Sequence, residues 1–287
     1  MWLPDKHLLE REIEIVVARA LGEDLGEAGD VTSKATIGPG LKVRAEILVK
    51  SPGVIAGLAV AERTFAYLDD ALEFKAFFDD GAQVEAGTRI AEVSGDALAV
   101  LAGERTALNF LQHLSGIATE VAKYVKALEG TGVDLLDTRK TTPGLRYLEK
   151  YAARTGGARN HRFGLYDQIL IKDNHIGVTR DIEAAVRKAR DAYPNLVVEV
   201  EAETLDEARA AVEARADIIL LDNMDTTLLR EAVGLIGDRA LKEASGGITL
   251  ANIADVAATG VDRISVGALT QAAKPLDISL EVVGYRR

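Results

Sequence analysis

Cysteine is absent from all 287 residues, which excludes disulfides, thiolate chemistry and cysteine-ligated metals. No apolar run approaches the roughly 18 residues of a membrane-spanning helix. No long basic run occurs in a chain of formal charge −11, so nucleic acid is not expected as the main partner. The opening stretch MWLPDKHLLEREIEIV has no basic segment followed by an apolar core; no export signal is expected, and the default is a soluble cytoplasmic protein. Gly-x-Gly-x-x-Gly and Walker A loops are missing as well. His161 and His175 are too far apart for a helical metal pair, and no third nitrogen ligand is evident. Ser115 and Ser245 lack a His–Asp partnership, which argues against a nucleophilic triad. His7 and His113 read as surface or core residues.

What is present is a local excess of positive charge. From Arg139 to Lys172 eight Lys or Arg face two acids, Glu149 and Asp167, so this stretch carries +6 while the rest of the chain sums to −17. A strongly acidic chain that gathers cations in one short stretch is equipped to bind an anion there. At 48% hydrophobic residues, the length allows one large domain or two modest ones with real cores.

Residues 7–21 place apolar side chains at helical spacing and read as an amphipathic helix. From Thr36 to about Gly95, runs such as KVRAEILVK and TRIAEVSG alternate and are punctuated by SPG, DDG and EAG, a pattern of strands and turns with one helical insert, LAVAERTFAYLDD. DGAQVEAGTRIAEVSG resembles the hairpins of lipoyl and biotinyl carrier domains, but no lysine stands at a hairpin tip, so the segment reads as a structural sandwich. Residues 97–129 read as helix, with Gly103 and Gly116 as breaks. From Val133 onward short apolar strands (VDLLDT, QILIK, LVVEVE, DIILLD, ALKEAS, DRISVG) alternate with helical patterns. Continuous apolar strands imply burial on both faces, and repeated β-then-α units imply a parallel sheet. A (β/α) barrel of fewer than eight strands is expected; an open doubly wound sheet is the alternative.

Each of those strands ends on a distinctive residue. VDLLD runs into Thr138, Arg139 and Lys140; the following strands end in Lys172, Glu201 and Asp222; the last two end in Ser245-Gly246-Gly247 and Val266-Gly267-Ala268. In a parallel barrel all these positions open onto the carboxyl-end face, where catalytic groups sit. Arg139, Arg162 and Lys172, with His161, suit a planar ligand bearing carboxylates. Glu201 and Asp222 suit a Mg²⁺-bound polyphosphate, ribose hydroxyls or a cationic transition state. The late glycines offer backbone N–H groups where such barrels hold phosphate. Arg105, on a helix among apolar neighbours, reads from composition alone as a salt-bridged residue.

The strings GERTALNFLQHLSGIAT, DTRKTTPGLR, KYAARTGGARNHRFGLYDQILIKDNHI, VEVE, IILLDNM and ASGGI closely resemble the quinolinate phosphoribosyltransferases, over essentially the whole chain. The resemblance implies an N-terminal α/β sandwich over residues 1–114 and an incomplete, roughly seven-stranded parallel α/β barrel over residues 115–270, with the tail 271–287 packed on the sandwich. It implies conversion of quinolinate and phosphoribosyl pyrophosphate to nicotinate mononucleotide, pyrophosphate and CO₂, with Mg²⁺, in de novo NAD synthesis. It further implies a homodimer, or a hexamer built from it, in which Arg105 reaches quinolinate in the partner's site. Arg139, His161, Arg162 and Lys172 match the family's dicarboxylate pocket, and Thr138 adjoins it. Lys140, Glu201 and Asp222 match residues around pyrophosphate, Mg²⁺ and ribose. Ser245, Gly246, Gly247, Val266, Gly267 and Ala268 fall at the 5′-phosphate site. Gln271 stands where relatives commonly have His after GALT. Two rival readings are a related barrel enzyme acting on nicotinate or in a molybdenum pathway, and a carrier module built on residues 40–95.

Overall fold

A computed structural model gives the structure of residues 6–179 and 181–286; the first five residues of the expected sandwich domain lie outside this range. In chain order it begins with α1 (Lys6–Leu25), α2 (Val31–Thr36), β1 (Lys42–Val49), β2 (Gly53–Val54), α3 (Leu58–Leu68), β3 (Glu73–Ala76), β4 (Gln83–Val84) and β5 (Arg89–Asp96). The long α4 (Ala97–Ala127) follows. Then come β6 (Asp134–Leu136), α5 (Arg146–Thr155), β7 (Ile169–Ile171), α6 (Asp173–Thr179), α7 (Ile182–Ala192), β8 (Val198–Ala202) and α8 (Leu205–Glu213). The chain closes with β9 (Ile218–Asp222), α9 (Thr226–Ile236), β10 (Leu241–Ser245), α10 (Ile253–Ala257), β11 (Arg263–Ser265), α11 (Ala268–Gln271) and β12 (Ile278–Arg286). No helix among the described residues is long and apolar enough to cross a membrane.

Two compact units result. One comprises Lys123–Lys140 and Ala158–Gln271; the other comprises 6–122, Thr141–Gly157 and 272–286. The second unit carries an antiparallel sheet in the order β12-β1-β5-β3. Strand β1 alternates because every second side chain (Val43, Ala45, Ile47, Val49) goes into a core shared with Val100, Ala107, Leu108 and Leu111 of α4. The carboxyl-terminal β12 pairs with β1 along its length, so the end of the chain completes this sheet.

Gly103 and Gly116 do not break α4, which runs unbroken through both. They serve close approach instead: a Cβ on Gly103 would lie 3.0 Å from Phe65 and Leu68, and one on Gly116 would run into the Lys274 carbonyl and stand 2.9 Å from Pro275 Cα. Glycine costs helix propensity, and here the cost is outweighed by packing that no larger residue permits.

The basic stretch is also divided. Thr141–Gly157 groups with the sheet unit rather than with the barrel strands on either side of it. Local contacts explain this: Tyr151 donates its hydroxyl to Asp80 (2.7 Å), His113 Nε2 lies 2.8 Å from the fully buried Glu149, and Gly156 sits against Ala118. Lys150, within this segment, is fully buried.

The other unit holds a parallel sheet in the order β6-β11-β10-β9-β8-β7. Neighbours follow chain order from β7 to β11, and β6, the first strand, lies beside β11, the last. A doubly wound sheet would reverse direction midway, so this is the order of a barrel. Six strands form the sheet instead of roughly seven; a single parallel bridge between Leu136 and Arg159 occupies the next position. It extends no further because Asp137 takes over: its carboxylate accepts from the Asn160 side chain (2.7 Å) and the His161 N–H (2.8 Å), turning the chain off the ladder. Side-chain caps at Asp181, Thr204 and Asp225 start α7, α8 and α9.

Gly116→Ala is expected to destabilise the protein by about 1–3 kcal/mol through overpacking against backbone. Gly22→Ala, in α1 with nothing within 4 Å of the added methyl, should instead stabilise it by about 0.5–1 kcal/mol. Thermal denaturation of the two variants, with Tm moving in opposite directions, checks the assignment.

Candidate active site at the barrel mouth

Register decides where each polar side chain goes. Residues paired across parallel strands share a face, and side chains alternate along each strand. Leu170 pairs with Glu199, and Glu199 with Ile218; Glu201 pairs with Leu220, Leu220 with Glu243, and Glu243 with Arg263; Asp222 pairs with Ser245. One face of the sheet thus carries Lys172, Glu199, Glu201, Asp222, Glu243, Ser245 and Arg263. The other carries Val198, Val200, Ile219, Leu221, Ala244 and Ile264, which are buried and apolar. Both faces are buried, as expected for a parallel sheet, but the inward face sets most of the charged groups among Leu170, Ile218 and Leu220, with Lys242 alone of the strand charges on the other.

At the carboxyl ends of the strands Lys172 Nζ donates to Glu201 Oε2 at 2.7 Å, with Glu201 nearly buried and Lys172 partly exposed. Asp222 closes β9, and Asn223 beyond it adopts a left-handed backbone (φ 56°) and donates from Nδ2 to the Asp222 carboxylate at 2.7 Å. The Asn223 amide also donates to Ser245 O, and a Cβ on Gly246 would collide with the Asn223 side chain, so glycine is required at 246 for β9 and β10 to end side by side. Gly246 and Gly247 both have positive φ (87° and 62°), which leaves bare backbone at the mouth.

Lys140 reaches the same end by another close approach. Its Cδ lies 2.7 Å from where a Cβ on Gly267 would stand, Thr270 donates to its carbonyl, and its own N–H donates to Thr138 Oγ1. Ala268 is exposed beside Gly267. Val266 differs from the expectation: it is buried, and its N–H donates to Leu136 O (3.0 Å), so that amide completes the sheet rather than facing a phosphate. Arg105 is exposed on α4 in the other unit, where its immediate neighbours Thr106 and Ala107 are buried.

His161 and Arg162 are both buried. Burial lowers the Arg162 pKa, and the charge of Arg139 lowers it further, against the opposing pull of Glu199 and Asp167. Arg162 donates from Nη1 to Gln168 O (3.1 Å), and Phe163 and Gly164 N–H groups bind the Asp167 carboxylate, which closes the turn after Arg162.

Three side chains that patterning did not single out lie beneath. Glu199 and Glu243, both fully buried, stand 3.2 and 3.4 Å from His161 Nε2. Gln168 donates to Glu199 Oε2 at 2.6 Å. The alternation of V-E-V-E in β8 was the available signal for Glu199. Ligand atoms of His161, Glu199 and Glu243 lie within 4.8 Å of one another, which makes this the grouping among the described residues that could hold a metal. Gln168 and His161 both address Glu199 Oε2, while Glu199 Oε1 and both Glu243 oxygens are buried without a well-aligned hydrogen bond.

Burial opposes a charged His161, but hydrogen bonds to Glu199 and Glu243 outweigh it and bring its pKa to about 10. Burial, then the charge of Glu243, raises that of Glu199. The Arg162 N–H donates to His161 Nδ1 (2.8 Å), so the extra proton belongs to the trio as a whole, on the imidazole or on a carboxylate. Either placement has one sign: the folded trio keeps a proton that the unfolded chain releases. Its stabilising contribution is complete below the ordinary histidine value of 6.5 and is lost as pH rises to about 10. Tm should fall across that window in the native protein and fall less in Glu243→Gln; parallel Tm–pH curves for the two would refute the coupling.

Comparison with known proteins agrees with this arrangement. Residues 30–115 match the N-terminal domain and residues 117–281 the C-terminal domain of quinolinate phosphoribosyl transferase. The chain is 46% identical over 261 residues to the probable nicotinate-nucleotide pyrophosphorylase [carboxylating] of Bacillus subtilis, covering 91% of this chain and 90% of that one. It is 44% identical to the Synechocystis protein of the same description, over 92% of this chain and 90% of that one. The crystal structure of NadC from Streptococcus pyogenes superposes with a TM-score of 0.92 at 39% identity, covering 100% of this chain and 99% of that chain. With both family domains matched in order along one chain, the protein belongs to the quinolinate phosphoribosyltransferase family.

Proposed function

We propose that the chain transfers phosphoribosyl from phosphoribosyl pyrophosphate to quinolinate with decarboxylation, yielding nicotinate mononucleotide, pyrophosphate and CO₂ for NAD synthesis. The observation that carries this reading is the buried Arg162, held by the Gln168 carbonyl next to the buried His161, in the unit whose strand ends carry Lys172, Glu201 and Asp222. Guanidinium, imidazole and ammonium groups gathered in that unit suit a ligand bearing two carboxylates. Nicotinate, with a single carboxylate, would leave one cation unmatched.

In this reading Arg139, His161, Arg162 and Lys172 hold quinolinate, and Arg105 reaches it from the partner chain of a homodimer. Ser245, Gly246, Gly247, Gly267 and Ala268 take the 5′-phosphate, with Val266 as framework. Glu201 and Asp222, hard oxygen donors at neighbouring strand ends, suit the outer shell of a Mg²⁺ ion carried on the pyrophosphate, which would supply charge neutralisation when bound. Thr138 orients Lys140 through its hydrogen bond. A cytoplasmic location fits the cysteine-free composition.

The ring nitrogen attacks the anomeric carbon while its bond to pyrophosphate oxygen breaks and the electron pair departs with the leaving group. Positive charge develops on the ribose, and Glu201 and Asp222 are the inward carboxylates available to stabilise it. Lys172 neutralises Glu201 at 2.7 Å; a substrate carboxylate that draws Lys172 away leaves the Glu201 charge free for the anomeric carbon. Lys140 neutralises the departing anion. Loss of CO₂ leaves its electron pair at the ring carbon beside the now cationic nitrogen, and that carbon then takes a proton. Glycosylation therefore precedes decarboxylation. No covalent nucleophile is needed, and rate enhancement comes from positioning and electrostatics.

Arg162→Ala should raise the quinolinate KM about thirtyfold to several-thousandfold, the equivalent of losing a buried charge-assisted contact of about 2–5 kcal/mol. Near-normal quinolinate saturation would contradict the pocket, and CO₂ release from nicotinate instead of quinolinate would overturn the substrate. Mixing inactive Arg105→Ala and Lys140→Ala chains should restore part of the activity through hybrid dimers. Mixtures that stay inactive after verified subunit exchange would sink the shared site.

A further inference from the structure

Two fully buried carboxylates inside a barrel are costly, and apolar residues of similar volume would serve packing better. Glu199 and Glu243 point inward from β8 and β10, two strands apart, and converge on one nitrogen, His161 Nε2. Glu199 makes a second contact, accepting from Gln168 Nε2 at 2.6 Å. Arg263 stands 3.8 Å from Glu243 on the far side and balances part of the charge.

Both contacts of Glu199 lead to Arg162. Through the imidazole, His161 Nδ1 accepts from the Arg162 N–H at 2.8 Å and fixes the backbone. Through its side chain Gln168 is tied to Glu199, and its backbone carbonyl accepts from Arg162 Nη1 at 3.1 Å and holds the guanidinium. Asp137 holds the His161 N–H at 2.8 Å, so the imidazole is anchored from its own backbone as well. The arginine is thus held at its backbone and at its guanidinium, and both contacts lead back to one buried carboxylate whose neighbour, Glu243, stands 3.4 Å from the same ring nitrogen.

We propose that Glu199 and Glu243 are positioning residues for the dicarboxylate pocket: they lock His161 and Gln168 and, through them, hold the Arg162 guanidinium in the orientation the substrate requires. This rests on the quinolinate reading of the same site. The electrostatic partners of the cluster are Arg263 from β11, Asp137 after β6, and Arg162 in the loop above. A displacement of about 1 Å at a binding group can cost on the order of a hundredfold in rate or affinity, so an orienting role predicts a large effect from residues that never touch substrate.

The test measures quinolinate and phosphoribosyl pyrophosphate binding by calorimetry, with turnover alongside, for the native protein, Glu199→Gln, Glu243→Gln and Gln168→Ala. The last is a half-buried loop change that keeps the fold testable if a core variant fails to fold. Expected is a tenfold to hundredfold weaker quinolinate Kd for Glu199→Gln, a smaller loss for the other two, and phosphoribosyl pyrophosphate binding within about twofold of native in all three. In an Arg162→Ala background Glu199→Gln should add almost nothing, because its effect runs through that arginine. Equal weakening of both substrates, full additivity with Arg162→Ala, or unchanged quinolinate binding in Gln168→Ala and Glu199→Gln would overturn the proposal. So would one tightly held metal ion per native chain that Glu243→Gln loses. Failure of the native protein itself to bind quinolinate is a separate result, which would remove the substrate reading.

Discussion

Placing Glu199 and Glu243 inside the barrel constrains everything above them. Two carboxylates in a dry interior need positive charge or donors nearby: Gln168 and His161 serve Glu199, and His161 and Arg263 lie 3.4 and 3.8 Å from Glu243. Once His161 is committed inward, its other nitrogen takes the Arg162 amide, and Gln168 takes the Arg162 side chain. The loop from Asn160 to Gln168 has little freedom left. Its cation is presented at the mouth by charges buried below it.

Close backbone approach is the second device that assembles the site. Gly267 lets the Lys140 side chain cross the end of β11, and Gly246 makes room for the left-handed Asn223 that clasps Asp222. In both cases the glycine acts by the absence of a side chain. The sheet unit uses the same device: Gly103 and Gly116 let α4 lie against α3 and the segment before β12. Glycines that look like helix breaks in sequence are contact points in the fold.

Much of this was legible in the chain. Six strands were placed by their β-branched apolar runs, and their polar ends identified Lys172, Glu201, Asp222 and Ser245 because side-chain direction follows strand period alone. Other features escaped notice for physical reasons. Glu199 and Glu243 were not singled out by strand patterning; they stand 38 and 82 positions from their partner His161 in the chain, and only register brings them together. Val266 looked like a phosphate donor until its amide was found in the sheet. The +6 stretch looked like one patch, yet Thr141–Gly157 packs with the antiparallel unit.

Composition, strand spacing and motif strings by themselves determined the class of fold, the family and the chemical types gathered for the reaction, because these depend on local periodicity and on residue identity. Tertiary structure alone decided which cations face the mouth, which carboxylates lie beneath it, and which glycines bring distant backbone together. Those outcomes depend on strand register and on contacts between residues far apart in the chain, and no local pattern encodes a distance across a barrel.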